Sequence, residues 1–302
     1  MQFSEQWLRT FVNPSLDSDE LANALTMAGL EVEAIESVAA PIGQDILDNL
    51  ALDDKLFTLK LTPNRSDCLS VMGIAREVAA ITGAALNLPK IEAVPTKTGV
   101  FKNVEIEEKQ ACPRYCGRVV TNINATAKTP DWMVRHLECS GLRSISAIVD
   151  ITNYVLMEIG QPLHAFDAAK LKGDIRVRMA EPGEKLELLN QQTAELDADM
   201  LVIADDSGAV ALAGIMGGAS GAVSNATIDI FLESAFFTPD IIASKARRFG
   251  FSTDSSYRFE RGVDYGNTRL ALERVTKLIQ EICGGDAGAI TEVLGKLPER
   301  QP

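Results

Sequence analysis

Residues 228–237 read IDIFLESAFF, an apolar run that contains one internal glutamate, Glu233, and ends in two phenylalanines. Its length and composition are typical of a buried β-strand. An ionised carboxylate in such surroundings is costly unless a neighbouring group donates a hydrogen bond to it. Two interpretations remain open at this point. Either Glu233 forms a salt bridge with a nearby arginine, or it is an acceptor that makes an apolar pocket selective.

The sequence around this run has the same character. From about residue 100 the chain alternates short strand candidates with turn signals, and two helices interrupt them. The first helix, TPDWMVRHLECSG (129–141), has Thr129 as its predicted cap, and the second is the terminal NTRLALERVTKLIQEICGG (267–285). The strand candidates are NVEIEE, GRVVTN, DIRVRMA, LVIADD, AVALAGI and IDIFLES.

The first part of the chain has a different pattern. Residues 15–33 predict a helix capped by Asp17 or Ser18, and residues 55–83 predict a strand, a turn and a helix capped by Ser66.

The predicted fold class is therefore α+β, with a small helix and strand domain followed by a larger strand-rich domain with flanking helices. The boundaries are 1–87 for the first domain, 88–100 for a linker rich in proline and lysine, and 101–302 for the second domain.

Composition limits the classes of protein that fit. The chain has 302 residues, 46% hydrophobic and 24% charged, which excludes disordered and collagen-like classes. It has no apolar run of about 18 residues and its first residues do not resemble a signal peptide, so we expect a cytoplasmic protein with no membrane segment. The five cysteines are scattered, and Cys112 and Cys116 lack a second pair, so we expect reduced thiols and no metal site.

Charge argues against strong binding of nucleic acid by the chain as a whole, because its net charge is −13. One basic stretch stands out, SKARRFGFSTDSSYRFERG (244–262), in which arginines alternate with aromatic residues. Arg247, Arg248 and Arg258 are candidates for contacts with RNA. A solvated helix face or a subunit interface is an equally common use of such a stretch.

Several catalytic motifs are absent, including the phosphate loop GxxxxGK[ST] and the zinc motif HExxH, and GGASGA does not match GxSxG. The glycine-rich run at 211–227 either lets the backbone approach a ligand closely or forms a flexible hairpin loop. His164, one of two histidines, follows a Gly-Gln-Pro turn in TNYVLMEIGQPLHAFD (152–167). A lone histidine is more often structural, but its ordinary pKa near 6.5 suits proton transfer or neutral hydrogen bonding.

Several motifs occur together in one order. They are FSEQWLRTFVNP, TMAGLEVEAIE, LTPNRSDCLSVMGIAREVAA, ACPRYCGRVV, GLRSISAIVDITNYVLMEIGQPLHAFD, IMGG, LESAFF and RRFGFSTDSSYRFERGVD. In this order they closely resemble the β-subunit family of bacterial phenylalanyl-tRNA synthetases. The resemblance covers essentially the whole chain. It implies that an OB-fold insert is missing near residues 40/41, and that the chain is a fragment with the family's N-terminal and tRNA-editing domains.

The resemblance implies a ligase of the aminoacyl-tRNA synthetase class. In the family the α subunit activates the amino acid with ATP and Mg²⁺, so this fragment needs no cofactor. The editing domain of the β subunit hydrolyses tyrosyl-tRNA(Phe). The implied partners are the α subunit, in a heterotetramer of two α and two β subunits, tRNA(Phe), and tyrosine as the editing substrate moiety. A non-catalytic scaffold of the heterotetramer is the alternative, and a free-standing editing protein is less favoured because the N-terminal domain belongs to the full subunit.

The resemblance also transfers site residues. It implies a catalytic set of Arg143, Thr152, Asn153, His164 and Thr253, and a substrate-binding set of Gly217, Glu233 and Ser255, the last at a position that can be alanine in relatives.

Physical reasoning then assigns roles to these residues. An editing pocket must admit tyrosine and exclude phenylalanine, which requires a buried acceptor for the phenol, and Glu233 is that candidate. Gly217 leaves room for the ring. His164, Thr152, Asn153 and Arg143 hold the aminoacyl and adenosine portions and orient a water molecule.

Overall fold

The computed structural model of the chain describes residues 1–38 and 54–299. Contacts between residues divide the chain into two units. The first unit is Met1–Lys90, Pro130–Ser144 and Met157–Gly160, and the second is Ile91–Thr129, Ile145–Leu156 and Gln161–Pro302. The predicted site of the missing insert, near residues 40/41, lies outside the described residues.

The first unit combines helices with a small antiparallel sheet. Its elements are β1 (Gln2–Ser4), α1 (Glu5–Phe11), α2 (Ser18–Met27), β2 (Glu31–Ser37), β3 (Lys55–Lys60), α3 (Val71–Thr82) and α4 (Asp131–Cys139). The strands lie in the order β1-β3-β2. Phe3 and Phe57 are cross-strand partners in this sheet, and both are fully buried with their rings stacked.

The observed caps of two helices can be compared with the caps predicted from the sequence. Helix α2 begins at Ser18, and its cap is Asp17, one of the two predicted residues, in a capping box with Glu20. Helix α3 begins later than predicted, because Ser70 is its cap and Ser66 instead opens a short 3₁₀ turn. Gly83 ends α3 in the left-handed region at φ +72°.

Helix α4 belongs to the first unit, although the sequence predicts it within the second domain. Its His136 ring stacks on Trp7 with centroids 4.5 Å apart, and its Arg135 pairs with Asp54 at 3.4 Å. Because these side-chain contacts go to residues of the first unit, α4 packs with that unit. The structural units thus differ from the predicted domains, because Pro130–Ser144 and Met157–Gly160 fall in the first unit whereas the sequence predicts them in the second domain.

The second unit is richer in strands. Its elements are β4 (Val104–Ile106), β5 (Arg114–Thr121), α5 (Ala147–Ile159, whose last turn falls in the first unit), β6 (Leu163–Asp167), β7 (Ile175–Met179), β8 (Lys185–Glu187), β9 (Thr193–Glu195), β10 (Leu201–Asp205), β11 (Gly208–Leu212), β12 (Met216–Gly217), β13 (Ile230–Phe236), α6 (Pro239–Ile242), α7 (Lys245–Arg248), α8 (Asp254–Phe259), α9 (Asn267–Ile282) and β14 (Asp286–Leu294). All six strand candidates from the sequence correspond to strands. Within the described ranges, no helix is both long enough and apolar enough to cross a bilayer.

Two sheets organise this unit. One has the order β12-β11-β10-β7-β4 and the other the order β14-β5-β13-β6, with β8 and β9 forming a separate hairpin. Every residue of β13 is buried, so the strand is covered on both faces as well as paired along both edges by β5 and β6. This position explains why the quoted run is continuously apolar instead of alternating. Phe231 of β13 is fully buried, as are Phe166 of β6 and Tyr115 of β5 on either side of it.

Helix α5 was not predicted from the sequence. The buried Asp150 carboxylate in its first turn accepts from the Ile145 backbone N–H at 2.8 Å and from the Thr129 hydroxyl at 2.5 Å. Thr129 is therefore not the cap of α4. Its hydroxyl instead helps to hold the start of α5, where a carboxylate is favoured by the helix dipole.

The predicted linker has neither helix nor strand, but a buried ion pair anchors it. Arg118 on β5 donates to the Glu273 carboxylate of α9 at 2.8 Å and to the Val94 carbonyl at 3.1 Å. The Val94 backbone N–H donates to the same carboxylate at 2.9 Å. These three residues, which we call the Arg118 clamp, fix an otherwise irregular segment to the second unit.

Removing the acid from this clamp should be costly. Glu273→Ala is expected to lower the free energy of unfolding by about 3–5 kcal/mol, because it leaves the Arg118 guanidinium buried without its anion. Urea-induced unfolding measures the change. Glu281 pairs with Lys277 on the exposed face of the same helix, so Glu281→Ala is the matched control and should change stability by less than about 1 kcal/mol. Equal losses in the two variants would contradict the clamp.

Candidate functional site

Strand pairing brings together the two residues that the sequence analysis emphasised. In the antiparallel register of β13 with β6, Glu233 lies directly opposite His164. Side chains of directly opposed residues lie on the same face of a sheet, with Cβ atoms about 4.5–5.5 Å apart. The Gln161 amide donates to the Ala235 carbonyl at 2.8 Å, which ties the turn before β6 to β13.

A small cavity of about 90 Å³ lies at this pair and is called here the inner cavity. Its lining is Pro162, Leu163, His164, Ala211, Leu212, Ala213, Gly214, Ile215, Met216, Gly217, Glu233, Ser255 and Phe259. The Tyr115 hydroxyl donates to Glu233 Oε2 at 3.0 Å. Among the described residues no arginine or lysine pairs with Glu233, so the salt-bridge interpretation is wrong.

Burial shifts the ionisation of both groups toward their neutral forms. Loss of solvent raises the pKa of Glu233 to about 7, against an opposing effect of the Tyr115 hydrogen bond. Loss of solvent lowers the pKa of His164 to about 4. The buried Nε2 of His164 has no hydrogen-bond partner among the described residues. Near neutral pH the site therefore offers a neutral imidazole with an unused nitrogen beside a carboxyl group close to its midpoint.

A larger cleft of about 590 Å³ adjoins the same imidazole. It shares five lining residues with the inner cavity, namely Leu163, His164, Ile215, Met216 and Gly217. Thr152 and Asn153, from helix α5, line the cleft but not the inner cavity. The Thr152 hydroxyl also donates to the carbonyl of Val149 in its own helix at 2.8 Å. His164 and Gly217 thus form part of the wall common to both spaces.

Gly217 makes room for a protein side chain. A Cβ built at this glycine would lie 2.4 Å from His164 Cε1 and 2.6 Å from Nε2, closer than carbon atoms pack. From the sequence, this space is expected to accommodate a ligand ring. The imidazole of His164 occupies it instead, so the glycine permits the position of the histidine.

Ser255 and Thr253 support the turn between β11 and β12. The Ser255 hydroxyl lines the inner cavity and donates to the Gly214 carbonyl at 3.0 Å. Thr253 caps helix α8 and donates to the Ile215 carbonyl at 2.9 Å, and it does not line either of the two cavities. Its hydroxyl therefore holds a cavity wall from behind. Arg143 precedes α5 within the first unit, and its predicted role stays a prediction.

The basic stretch is largely neutralised by its own surroundings. Arg248 bonds Asp199 and Asp197. Arg258 is 2% exposed and bonds Asp254, so the predicted RNA contact does not hold for its buried side chain. Arg247 is the most exposed of the three RNA candidates, with 67% of its side chain accessible.

Tyr115 is the site residue that the sequence analysis missed. It lies on β5 in the motif ACPRYCGRVV and is fully buried. A buried phenol hydroxyl normally finds a hydrogen-bond partner, so a tyrosine inside an apolar strand was the available signal. Its partner, Glu233, could not be identified without the sheet register.

Away from this site, one group of described residues has the spacing of metal ligands, Asp67, Cys68 and Glu77. The Arg65 guanidinium lies among them, 2.9 Å from a carboxylate oxygen of Asp67, 3.0 Å from the Cys68 sulfur and 2.9 Å from a carboxylate oxygen of Glu77. A side-chain cation already balances these acids, so they do not fit a metal centre.

Comparison with known proteins gives the class first. A family model described as the B3/4 domain matches residues 111–284, which is more than half of the 302 residues. The matched segment contains β5, β6, β13 and both cavities. The chain belongs to the B3/4 domain family.

The relatives point to one kind of protein within that class. The chain is 44% identical over 403 residues to the phenylalanine–tRNA ligase beta subunit of Dechloromonas aromatica, covering 100% of this chain and 51% of that protein. It is 55% identical over 260 residues to the corresponding subunit of Neisseria meningitidis serogroup A, covering 86% and 33%. The chain spans about half the length of the first of these curated relatives, and less of the second.

One solved structure is also similar, an N-terminal fragment of the phenylalanyl-tRNA synthetase beta subunit from Pyrococcus horikoshii. It is 15% identical with a TM-score of 0.45, and the match covers 99% of this chain and 80% of that one.

Adding one methyl group at residue 217 tests the packing of the imidazole. Gly217→Ala is expected to lower stability by about 1–3 kcal/mol and to displace the His164 ring, because the added Cβ overlaps it. Thermal unfolding and the NMR signals of the ring measure the two effects. At Gly99 an added Cβ meets no atom within 4 Å, so Gly99→Ala is the control. Unperturbed ring signals in Gly217→Ala would show that the contact is wrong.

The pKa of Glu233 predicts how stability depends on pH. The unfolded carboxyl releases its proton near pH 4.5, whereas the folded one keeps it up to about pH 7. Between these two pH values the chain takes up a proton at Glu233 when it folds. The contribution of Glu233 to the free energy of unfolding therefore falls as pH rises from the lower value to the higher one. The amide in Glu233→Gln cannot titrate. The variant should therefore lack the decrease of about 3 kcal/mol in the free energy of unfolding that the wild type shows as pH rises. Denaturant unfolding of both proteins at pH 5 and pH 8 measures this change in the free energy of unfolding. The same change in wild type and variant would contradict the raised pKa of Glu233.

The contribution of His164 to stability depends on pH in the opposite direction to that of Glu233. Its folded pKa of about 4 lies below the ordinary 6.5, so its contribution is lost as pH falls through that range. This contribution is expected to be similar in the wild type and Glu233→Gln, because burial is its cause in both.

Proposed function

We propose that the chain is the editing part of a phenylalanine–tRNA ligase beta subunit and hydrolyses the ester of tyrosyl-tRNA(Phe). The single observation that carries the proposal is the register pair of Glu233 and His164 beside two adjoining cavities. The pair combines a buried acceptor with an imidazole nitrogen that no described residue uses.

Selectivity follows from the chemistry of the acceptor. Tyrosine and phenylalanine differ by one hydroxyl, and a site that hydrogen-bonds this hydroxyl can discriminate by about 10⁴–10⁵. With tyrosine bound, Glu233 accepts a second phenol beside that of Tyr115. With phenylalanine bound, the carboxyl loses water and gains no partner, which is unfavourable.

The two cavities suit the two ends of the substrate. The inner cavity, about 90 Å³, is smaller than the roughly 150 Å³ that takes a benzene ring in a protein core. It therefore receives the hydroxyl end of the tyrosine ring at Glu233. The cleft of about 590 Å³ holds the aminoacyl ester and the terminal adenosine, where Thr152 and Asn153 contact them.

Hydrolysis proceeds by attack of a positioned water. The water oxygen forms a bond to the ester carbonyl carbon, the bond to the ribose oxygen breaks, and the ribose oxygen leaves with a proton. His164, neutral at physiological pH, orients that water, and the proton that the water loses passes to the leaving ribose oxygen. Burial holds the pKa of the Cys112 thiol well above its ordinary value, so this nearby sulfur remains a thiol and is a poor nucleophile.

The whole protein extends beyond this chain, and its further properties belong to the proposal. Its partner is the α subunit, in a cytoplasmic heterotetramer of two α and two β subunits that binds tRNA(Phe). Amino-acid activation with ATP and Mg²⁺ takes place in the α subunit. The alignment with the Dechloromonas aromatica protein exceeds the 302 residues of the chain by 101 positions, which supports a segment in that relative that this chain lacks, and we place it near residues 40/41.

A scaffold without chemistry is the second candidate. The observation that favours it is the internal pairing of Arg248 and Arg258 within the basic stretch, in a chain of net charge −13. Such a fragment would contribute contacts between subunits and would not bind tyrosine.

Two measurements on this chain separate the candidates. We expect wild type to deacylate tyrosyl-tRNA(Phe) in preference to phenylalanyl-tRNA(Phe), and free tyrosine to shift the NMR signals of β6 and β13. Glu233→Gln should lower both tyrosine affinity and deacylation at least ~10-fold, because an amide accepts more weakly than a carboxylate. Glu195, exposed on β9, provides the control Glu195→Gln.

Each result has a defined meaning. A wild-type chain that neither binds tyrosine nor deacylates the tRNA would overturn editing in favour of the scaffold. Full activity and selectivity in Glu233→Gln would remove Glu233 from its role.

A further inference from the structure

Tyr115 has an unusual position for a buried tyrosine. Its ring lies on β5 with no exposed surface, between the partner residues Ala235 of β13 and Val293 of β14. Its hydroxyl donates to Glu233 Oε2 at 3.0 Å. The protein thus already supplies one phenol to the carboxyl group that the proposed function assigns to the phenol of the substrate.

The sheet register explains how the ring reaches the acid. Glu233 is directly opposite Gly117, so Tyr115 is its diagonal neighbour, two residues along β5 on the same face. Diagonal neighbours are within reach of an aromatic side chain. A Cβ at residue 117 would lie 2.4 Å from the Phe231 ring and 3.5 Å from the Tyr115 ring. Glycine at this position lets the two rings and the carboxyl group share one face.

The two oxygens of Glu233 differ in their environment. Oε2 accepts the hydrogen bond from Tyr115, whereas Oε1 accepts none from the described residues. We propose that Tyr115 is a positioning residue that holds Glu233 through Oε2, presents Oε1 to the inner cavity, and keeps the carboxyl group ionisable in that buried site. This inference rests on the proposed function, since it assigns Oε1 to the hydroxyl of tyrosine.

Tyr115 is the described group that opposes the effect of burial on the acid. Burial raises the pKa of Glu233 to about 7, and the Tyr115 hydrogen bond acts against the rise. The pKa of Tyr115 itself is raised well above its ordinary value, so its hydroxyl stays protonated and keeps donating.

Two titratable groups near the acid, His164 and Cys112, carry no charge at neutral pH. His164 faces it from β6 with its pKa lowered to about 4, and Cys112 precedes β5 with its pKa well raised. Helix α8 contributes Ser255 and Phe259 to the cavity, and its own ion pair, Arg258 with Asp254, is satisfied internally.

The test removes one oxygen atom. In Tyr115→Phe the titration midpoint of the Glu233 carboxyl, followed by ¹³C NMR of the labelled side chain, should move upward by about one to two pH units. Tyrosine affinity at pH 7 should fall about tenfold while phenylalanine affinity stays the same, because only the hydroxyl needs the carboxylate. At pH 9, where the variant is ionised again, part of the tyrosine affinity should return.

A matched control separates this role from general loosening of the sheet. Ser234 is the neighbour of Glu233 on the opposite face of β13, is fully buried, and donates to the Thr268 carbonyl at 2.7 Å. Ser234→Ala therefore removes a buried hydroxyl of the same strand without touching the carboxyl. In Ser234→Ala the titration midpoint of the Glu233 carboxyl should equal that of the wild type. A midpoint raised as much as in Tyr115→Phe would overturn the inference.

Failure of this inference can be told apart from failure of the proposed function. If wild type prefers tyrosine but Tyr115→Phe keeps both the midpoint and the preference, the role of Tyr115 is overturned and editing stands. If wild type shows no preference for tyrosine, the proposed function fails, and the assignment of Oε1 to the substrate fails with it. The carboxyl titration still reports whether Tyr115 sets the ionisation of Glu233.

Discussion

The antiparallel register between β13 and β6 is the constraint on which the candidate site depends. Because side chains alternate along a strand, a slip of one residue would move Glu233 to the other face of the sheet and separate it from His164. The register is held at the turn before β6, where the Gln161 amide bonds the Ala235 carbonyl. Burial of both faces of β13 adds to this, because a slipped strand would place each closely packed side chain against neighbours of a different shape.

Within that register, loss of solvent acts on an acid and a base together. It makes Glu233 harder to ionise and His164 harder to protonate, so the two do not form an ion pair with each other at neutral pH. A polar ligand that enters the inner cavity can therefore interact with Glu233 and His164 without first breaking an ion pair between them. The hydrogen bond from the Tyr115 hydroxyl acts against this rise in the pKa of the acid.

The sequence predicts correctly those elements that depend on residues close together along the chain. The buried strand at residues 230–236 and the Asp17 capping box could be predicted because apolar runs and caps depend on near neighbours. Helix α5 could not, since its apolar and β-branched residues fit a strand equally well and its first turn is stabilised by the distant Thr129. Partners across the fold were also out of reach. The burial of Arg258 and the bond from Tyr115 to Glu233 both depend on segments far apart in sequence.

The close approach of Gly217 to the His164 ring links the evolutionary histories of two positions that lie 53 residues apart. While the imidazole is present, every amino acid with a side chain is sterically excluded at residue 217. A lineage in which a smaller residue replaces the histidine is released from that exclusion and can accept substitutions there. The two positions should therefore covary among homologues, with glycine retained wherever the ring is retained.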